Sequence, residues 1–516
     1  MHTLRPQTLE RLLARLVLVL LALGSLASSS PPGAAEPNLQ PQSASAISVA
    51  LAAEPVHSLG LSPAEQIPGL SLPDLLGVQL LSSGALDAAG TAVHAAGARF
   101  IHFGIEWRSL AGNTPAQKKL PAAYDWTYYD HIVDTAVGQG YSIMVTLGGN
   151  PCWAADYNRG PVNHAPLSDF VDYVDAVVNR YEDRVDYWAV YNEPDVVSFT
   201  RAPGSPDCRG DFEAAAFGDH PADYFEQYYF DDYEVNVPGY VSTLQAAYQK
   251  IKAIDADAYV LLGGLADDFF SSGIFNPDFL DQILTLDAAD SFDVMNYHYY
   301  PDYDSYWQGL TGLPGFLGKA KTIRDMLTAH GVVKPLVVSE LGDSSGGIYP
   351  GDPRTPDTQA QQVIRQFARA AAAGIQIGIW YNMHDYNSTG DSFIHHGLVT
   401  SDTAIPPYDP KPSLSAYATL AGVLPGQVYV RPLASTEMGA SNLEGYLFRD
   451  YSTGHELRLF WGLSSGSQTF HPPAHVESLV DKYGTDVPVT PTITLTQDPL
   501  IMISDFYSVY LPSVLR

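Results

Sequence analysis

The sequence predicts an α/β chain, a (β/α)8 TIM barrel followed by a small C-terminal all-β sandwich domain. Three observations carry this. Eight short apolar runs between residues 77 and 380 mostly lack polar alternation, as parallel strands covered on both faces do. Helix-period segments separate them, several ending in glycine before the next run, at Gly97, Gly140 and Gly374. After Leu424-Pro-Gly426 the pattern changes to short alternating strands and turns. Eight strand–helix units favour closure over a doubly wound sheet, although periodicity alone does not exclude the open sheet.

Taken in order, residues 1–30 read as a signal peptide. Arg5, Arg11 and Arg15 precede an apolar run over 16–23 and then small residues over 27–30. The run falls short of the about 20 residues that a spanning helix needs. The expectation is an exported, extracellular protein, with cell-surface association left open and no integral membrane segment after signal removal. Residues 31–70 read as a linker, rich in Ser, Ala and Pro at its start. The barrel occupies 71–424, with strands at 77–81, 100–105, 142–147, 187–191, 259–263, 292–297, 336–339 and 375–380. Helices are expected at 87–96, 128–139, 167–181, 241–254 and 358–373. A long segment, 195–238, carries Tyr224, Phe225, Tyr228, Tyr229, Phe230 and Tyr233 and reads as a loop beside the strand ends, either a cleft wall with aromatic sugar platforms or, for most of these aromatics, the loop's own small core. The sandwich occupies 425–505, with strands at 428–430, 444–448, 456–461, 487–495 and 500–503, and 506–516 form an apolar tail.

Charge narrows the partners. With 27 Lys plus Arg against 57 Asp plus Glu, the formal charge is -30, which repels nucleic acid and anionic lipid and leaves neutral ligands such as sugars unpenalised. The two cysteines, Cys152 and Cys208, fit a disulfide in an oxidising compartment, with two free buried thiols as the close alternative, since spacing does not give their Cα separation. Neither supports a metal site.

The chemistry-bearing residues sit at strand ends. Glu193 closes the run Trp188-Ala-Val-Tyr-Asn-Glu-Pro-Asp195, and Glu340 closes Pro335-Leu-Val-Val-Ser-Glu340. Two carboxylates on two strand ends of a barrel are what cleavage of a glycosidic bond needs: a proton donor for the leaving oxygen and an anion at the anomeric carbon. Glu193 is the expected acid/base and Glu340 the expected nucleophile. Asn192 is placed to meet a sugar 2-hydroxyl, His298 and Tyr300 end the sixth strand with Tyr300 facing Glu340, and Trp380 and Trp153 are candidate sugar platforms. Each has an ordinary reading as a salt bridge or packing group; their joint order along the barrel favours the catalytic one. No metal and no organic cofactor is required.

With these residues in view, the chain resembles a clan A glycoside hydrolase, most like family 39 and its relatives. Asn192-Glu193-Pro194 matches the strand-four signature, Ser339-Glu340 the strand-seven nucleophile, His298-x-Tyr300 strand six and Trp380 strand eight. Glu106-Trp107, Tyr124-Asp-Trp126 and Tyr129-Asp130 are similar to a family 39 pattern, as are Gly397-Leu-Val399, Lys411-Pro412 and Ala416-Tyr417. The resemblance implies a retaining double displacement on β-linked oligo- or polysaccharides, β-xylosidase-like or endo-glucanase-like, with the two carboxyl groups about 5–5.5 Å apart. One position departs from it. Many relatives carry an arginine on strand two where this chain has His102, which would give the nucleophile weaker, pH-dependent support unless Arg99 or another group compensates. His102 is also the main support for an alternative, an impaired barrel acting in carbohydrate binding or surface adhesion.

Overall fold

The computed structural model describes residues 62–505 except 156–159, 161, 196–236, 267–274, 347–351, 387–394, 435–436, 438–441, 465 and 474. Every described residue lies in one compact unit, Val56–Arg516. The signal, most of the linker, the 196–236 segment with its aromatics, Cys208 and the tail lie outside the described residues.

Eight parallel strands form one sheet: β1 Leu76–Gln79, β2 Phe100–Glu106, β3 Ser142–Gly148, β4 Tyr187–Asn192, β5 Tyr259–Gly264, β6 Met295–Tyr299, β7 Leu336–Leu341 and β8 Ile375–Trp380. Their order, β5-β4-β3-β2-β1-β8-β7-β6, runs round a barrel, and it closes between β5 and β6 through isolated bridges, Leu261 to Val294 and Leu265 to Tyr297, with backbone hydrogen bonds that include the His298 amide donating to the Leu265 carbonyl at 2.8 Å. The helices are α1 Thr127–Gln139, α2 Leu167–Tyr181, α3 Val237–Ile254, α4 Phe279–Thr285, α5 Asp304–Thr311, α6 Gly315–Ala329, α7 Pro356–Ala372 and α8 Pro412–Val423. Helix-period apolar residues such as Phe170, Val174, Val177 and Tyr181 on α2 are buried, which explains why that segment reads as a helix. The predicted helix over 87–96 is broken instead: Ser83–Ala85 is α, Leu86–Gly90 forms a π turn and Thr91–Ala95 resumes the helix.

Alternation along each strand divides two cores. Phe100, Met144, Tyr187, Ala189, Leu261, Val294, Val337, Ile377 and Ile379 fill the barrel interior. Val78, Ile101, Val145, Trp188, Val338 and Trp380 belong to the layer shared with the helices. Gly77 faces the interior because a Cβ there would come within 2.4 Å of Ile379 Cδ1.

The C-terminal region is antiparallel. β9 Val428–Pro432, β10 Leu443–Asp450, β11 His455–Gly462, β13 Val476–Asp481 and β15 Leu500–Asp505 form a sheet in the order β13-β15-β11-β10-β9, and β12 Gln468–Phe470 pairs with β14 Ile493–Leu495. The strand expected over 487–495 shrinks to β14; Pro488 and Pro491 remove ladder donors from its first half. Phe460, Phe470, Leu479, Leu495 and Met502 form this region's own core.

Candidate active site

The site is built at the C-terminal ends of β4, β6 and β7. β4 ends in two residues with left-handed backbone, Tyr191 (φ 64°) and Glu193 (φ 47°), on either side of Asn192. Such conformations are uncommon for non-glycine residues and cluster at functional sites. The turn is held by the Glu193 amide donating to the Gly264 carbonyl at 3.0 Å. Asp195, fully buried, accepts from the Ala266 amide at 3.1 Å, which ties the end of β4 to the end of β5.

Glu193 and Glu340 are part-buried, with 22% and 13% of their side chains exposed. One carboxylate oxygen of each and one ring nitrogen of His298 lie within 4.8 Å of one another. His298 Nδ1 is 2.9 Å from Glu193 Oε1 and 3.5 Å from Glu340 Oε2, so a single ring edge faces both acids. Its Nε2 lies 3.1 Å from Ser339 Oγ, and Ser339 donates its amide to Asn296 Oδ1 at 3.1 Å. Burial alone would lower the pKa of His298, but the Glu340 charge and the Glu193 hydrogen bond and charge outweigh it, and the net shift is upward. Tyr300 donates its hydroxyl to Glu340 Oε2 at 3.0 Å. Burial, then the Glu340 charge, pushes the Tyr300 phenol well above its ordinary value, so it stays a donor. Glu193, His298 and Glu340 are the group among the described residues whose donor atoms come close enough to approach a cation. The His298–Glu193 contact at 2.9 Å is an ordinary hydrogen bond.

Four expectations are revised. Trp380 does not face the acids. Strand alternation turns it outward, where it is fully buried, packs on Phe367 of α7 and donates its indole N–H to the His396 carbonyl at 2.9 Å. The next residue, Tyr381, turns inward and shares with Tyr300 an edge contact to His396, at 6.3 and 6.0 Å between ring centroids. Trp153 is tied by its N–H to the Gly112 carbonyl at 2.8 Å, and Lys118 covers its ring at 3.9 Å, so that face is taken. His102 points into the barrel, with Nε2 2.7 Å from Thr146 Oγ1 and Nδ1 buried without a partner. Burial first, then the charge of His298, lowers its pKa to about 3, so it is neutral and cannot give Glu340 pH-dependent support in the ordinary range. Arg99 lies exposed at the opposite end of β2, with Nη1 on the His94 carbonyl. Tyr300 and His298 reach Glu340.

Asn192 pairs with Gly264 in the β4–β5 ladder, next to Glu193. Cys152 is disulfide-bonded, and Cys208, the other cysteine, lies outside the described residues. Asp195 and Asn296 were not singled out from sequence. Counting strand alternation from His298 would have placed Asn296 in the interior, and the acidic end of Asn192-Glu-Pro-Asp195 was a signal for Asp195.

This geometry sits on a known frame. The structure is similar to a family 39 glycoside hydrolase from Bacteroides cellulosilyticus WH2, with a TM-score of 0.59 and 17% identity over 84% of this chain and 81% of that one. It is also similar to a glucosidase from Croceicoccus marinus, with a TM-score of 0.50 and 13% identity over 85% and 98% of the two chains. The fold is shared with these two enzymes. In sequence, 105 residues are 29% identical to the Beta-glucosidase-like SFR2, chloroplastic, of Oryza sativa subsp. japonica, covering 19% of this chain and 16% of that protein. The chain matches less than a quarter of the length of each such curated relative. No family model matches it. Glu193 and Glu340 stand at the ends of the fourth and seventh strands. No described helix is long and apolar enough to cross a membrane.

Proposed function

We propose that this protein is an exported retaining glycoside hydrolase that cleaves β-linked oligo- or polysaccharides. The observation that carries the reading is the pair of strand-end glutamates, with carboxylate oxygens within 4.8 Å and a histidine and a tyrosine hydrogen-bonded to them. That spacing is on the side of retention, where the carboxyl groups stand about 5–5.5 Å apart, and short of the about 6.5–9.5 Å that an inverting site needs to admit water.

Glu340, held ionised by the Tyr300 hydroxyl and His298, attacks the anomeric carbon while Glu193 protonates the departing oxygen. The resulting glycosyl ester on Glu340 is then opened by a water that Glu193 deprotonates. The glucosidase relatives suggest β-glucosides as the first substrates to try. The test is a screen of aryl β-glycosides and polysaccharides with wild type, Glu193→Ala and Glu340→Ala. Loss of hydrolysis in Glu340→Ala and its rescue by azide, giving the glycosyl azide of inverted configuration, are the expected results. Hydrolysis persisting unchanged in Glu340→Ala overturns the mechanism. His102 in place of arginine favours one rival, a barrel that binds sugar without cutting it; that rival predicts carbohydrate binding by wild type with no turnover on any glycoside.

A further inference from the structure

We propose that the C-terminal β-domain positions the acid pair through a buried chain of charges and hydroxyls that ends on β6, an inference that rests on the hydrolase reading above. The chain starts at Glu444 on β10. Its carboxylate takes two hydrogen bonds from Arg369 of α7, at 2.8 and 2.9 Å, and one from the Tyr446 hydroxyl at 2.6 Å. Arg369 also donates to Asp304 Oδ2 at 3.0 Å, and the other oxygen of Asp304, the first residue of α5, accepts from the Tyr299 hydroxyl. Tyr299 lies between His298 and Tyr300, the residues bonded to Glu193 and Glu340.

This end of β6 lies where the sheet is least regular. On one side β5 is joined by isolated bridges and single backbone bonds, the His298 amide donating to the Leu265 carbonyl at 2.8 Å, and on the other the β6–β7 register shifts between Tyr297 and His298. Because side chains alternate, anchoring the outward Tyr299 sets the height and rotation of both inward neighbours. The anchor has no slack. A Cβ at Gly315 would lie 2.4 Å from Asp304 Cα and 2.6 Å from the Tyr299 hydroxyl, and Tyr299 packs its ring on Phe316 at 4.7 Å. The Arg369 and Glu444 side chains are only 8% and 7% exposed. A pair out of water carries a desolvation cost that a mere tether between domains does not require. Lys482 with Asp357, at 2.9 Å and with the aspartate half-exposed, tethers the same two regions without leading to the site.

The test uses the full chain with Tyr299→Phe and Glu444→Gln, separately and together. Two readouts are taken: kcat and KM on an aryl β-glycoside that wild type hydrolyses, and the titration midpoint of His298 by 13C-histidine NMR, assigned with His298→Gln. Positioning predicts that each single variant loses about tenfold or more in kcat with KM little changed. It also predicts a His298 midpoint displaced by about half a pH unit or more, and a double variant no worse than the worse single one. A Tyr299→Phe protein with wild-type circular dichroism, kcat and His298 midpoint overturns the proposal and leaves the network as domain packing. Tyr299→Phe removes one hydroxyl and keeps the packed ring, so it decides the matter if Glu444→Gln does not fold. If wild type hydrolyses no glycoside, the hydrolase reading fails, and the His298 midpoint still tests the positioning chain.

Discussion

Gly264→Ala is the sharpest single perturbation of the site, because the added methyl group has one place to go. Gly264 ends β5 across the seam from β6, and its Cβ would lie 2.1 Å from His298 Nε2, 2.6 Å from Cδ2 and 2.8 Å from Ser339 Oγ. Ordinary contact begins near 3.4 Å, so the imidazole must retreat by about 1.3 Å. His298 is 1% exposed and hydrogen-bonded at both nitrogens, so it cannot retreat without breaking the 2.9 Å contact to Glu193 or the 3.1 Å contact to Ser339. Overpacking of this kind costs about 1–3 kcal/mol of stability, and a misplacement near 1 Å at a reacting group costs about a hundredfold in rate. The assay is kcat/KM on an aryl β-glycoside beside a thermal melt. A folded Gly264→Ala protein that keeps wild-type kcat/KM would refute the claim that His298 orients the acid pair.

Other outcomes follow from the same geometry. Tyr300→Phe removes a hydrogen bond to a charged carboxylate, worth about 1.5–3 kcal/mol, so kcat/KM should fall by about 10- to 100-fold and its acid limb should move to higher pH as Glu340 becomes harder to ionise. His102, with a folded pKa of about 3 against an unfolded value of 6.5, leaves stability untouched above pH 6.5 and erodes it as the pH falls, because only the unfolded chain takes the proton; the loss is about 2 kcal/mol at pH 5, and His102→Gln should flatten that slope in urea melts. Glu444 behaves as a depressed carboxylate. Burial alone would raise its pKa, but Arg369 outweighs this, so its contribution is present above the unfolded glutamate pKa and is lost as the pH falls through the folded value, which denaturation of Glu444→Gln against wild type between pH 6 and 3 measures. Asp195→Ala should cost about 1–3 kcal/mol by leaving the buried Ala266 amide unpaired, and should lower kcat by loosening the Glu193 turn.

The barrel was legible because strands buried on both faces leave apolar runs that need no knowledge of their partners. Thus 142–147 and 375–380 were found to within a residue of β3 and β8. Glu193, Glu340, His298 and Tyr300 were legible because a strand's end is marked by where its apolar run stops. Facing was harder to read. Trp380 looks like a platform until alternation is counted from Ile377 and Ile379, which point inward and send Trp380 out and Tyr381 in. The state of His102 depends on Thr146 and His298, 44 and 196 residues away, and no local pattern encodes that. The network from Glu444 to Tyr299 joins residues 145 apart in sequence, each of them ordinary where it stands.

The seam between β5 and β6 has a consequence for how the molecule ages under heat. Isolated bridges and single backbone bonds hold the barrel shut there in place of a regular ladder, with Asn296 Nδ2 reaching across to the Leu262 carbonyl at 3.1 Å. A hoop joined at one clasp opens at the clasp. Because His298 is mounted on that clasp, warming should silence the active site while helices and the remaining strand pairs are still intact, and inactivation should run ahead of the far-ultraviolet melt.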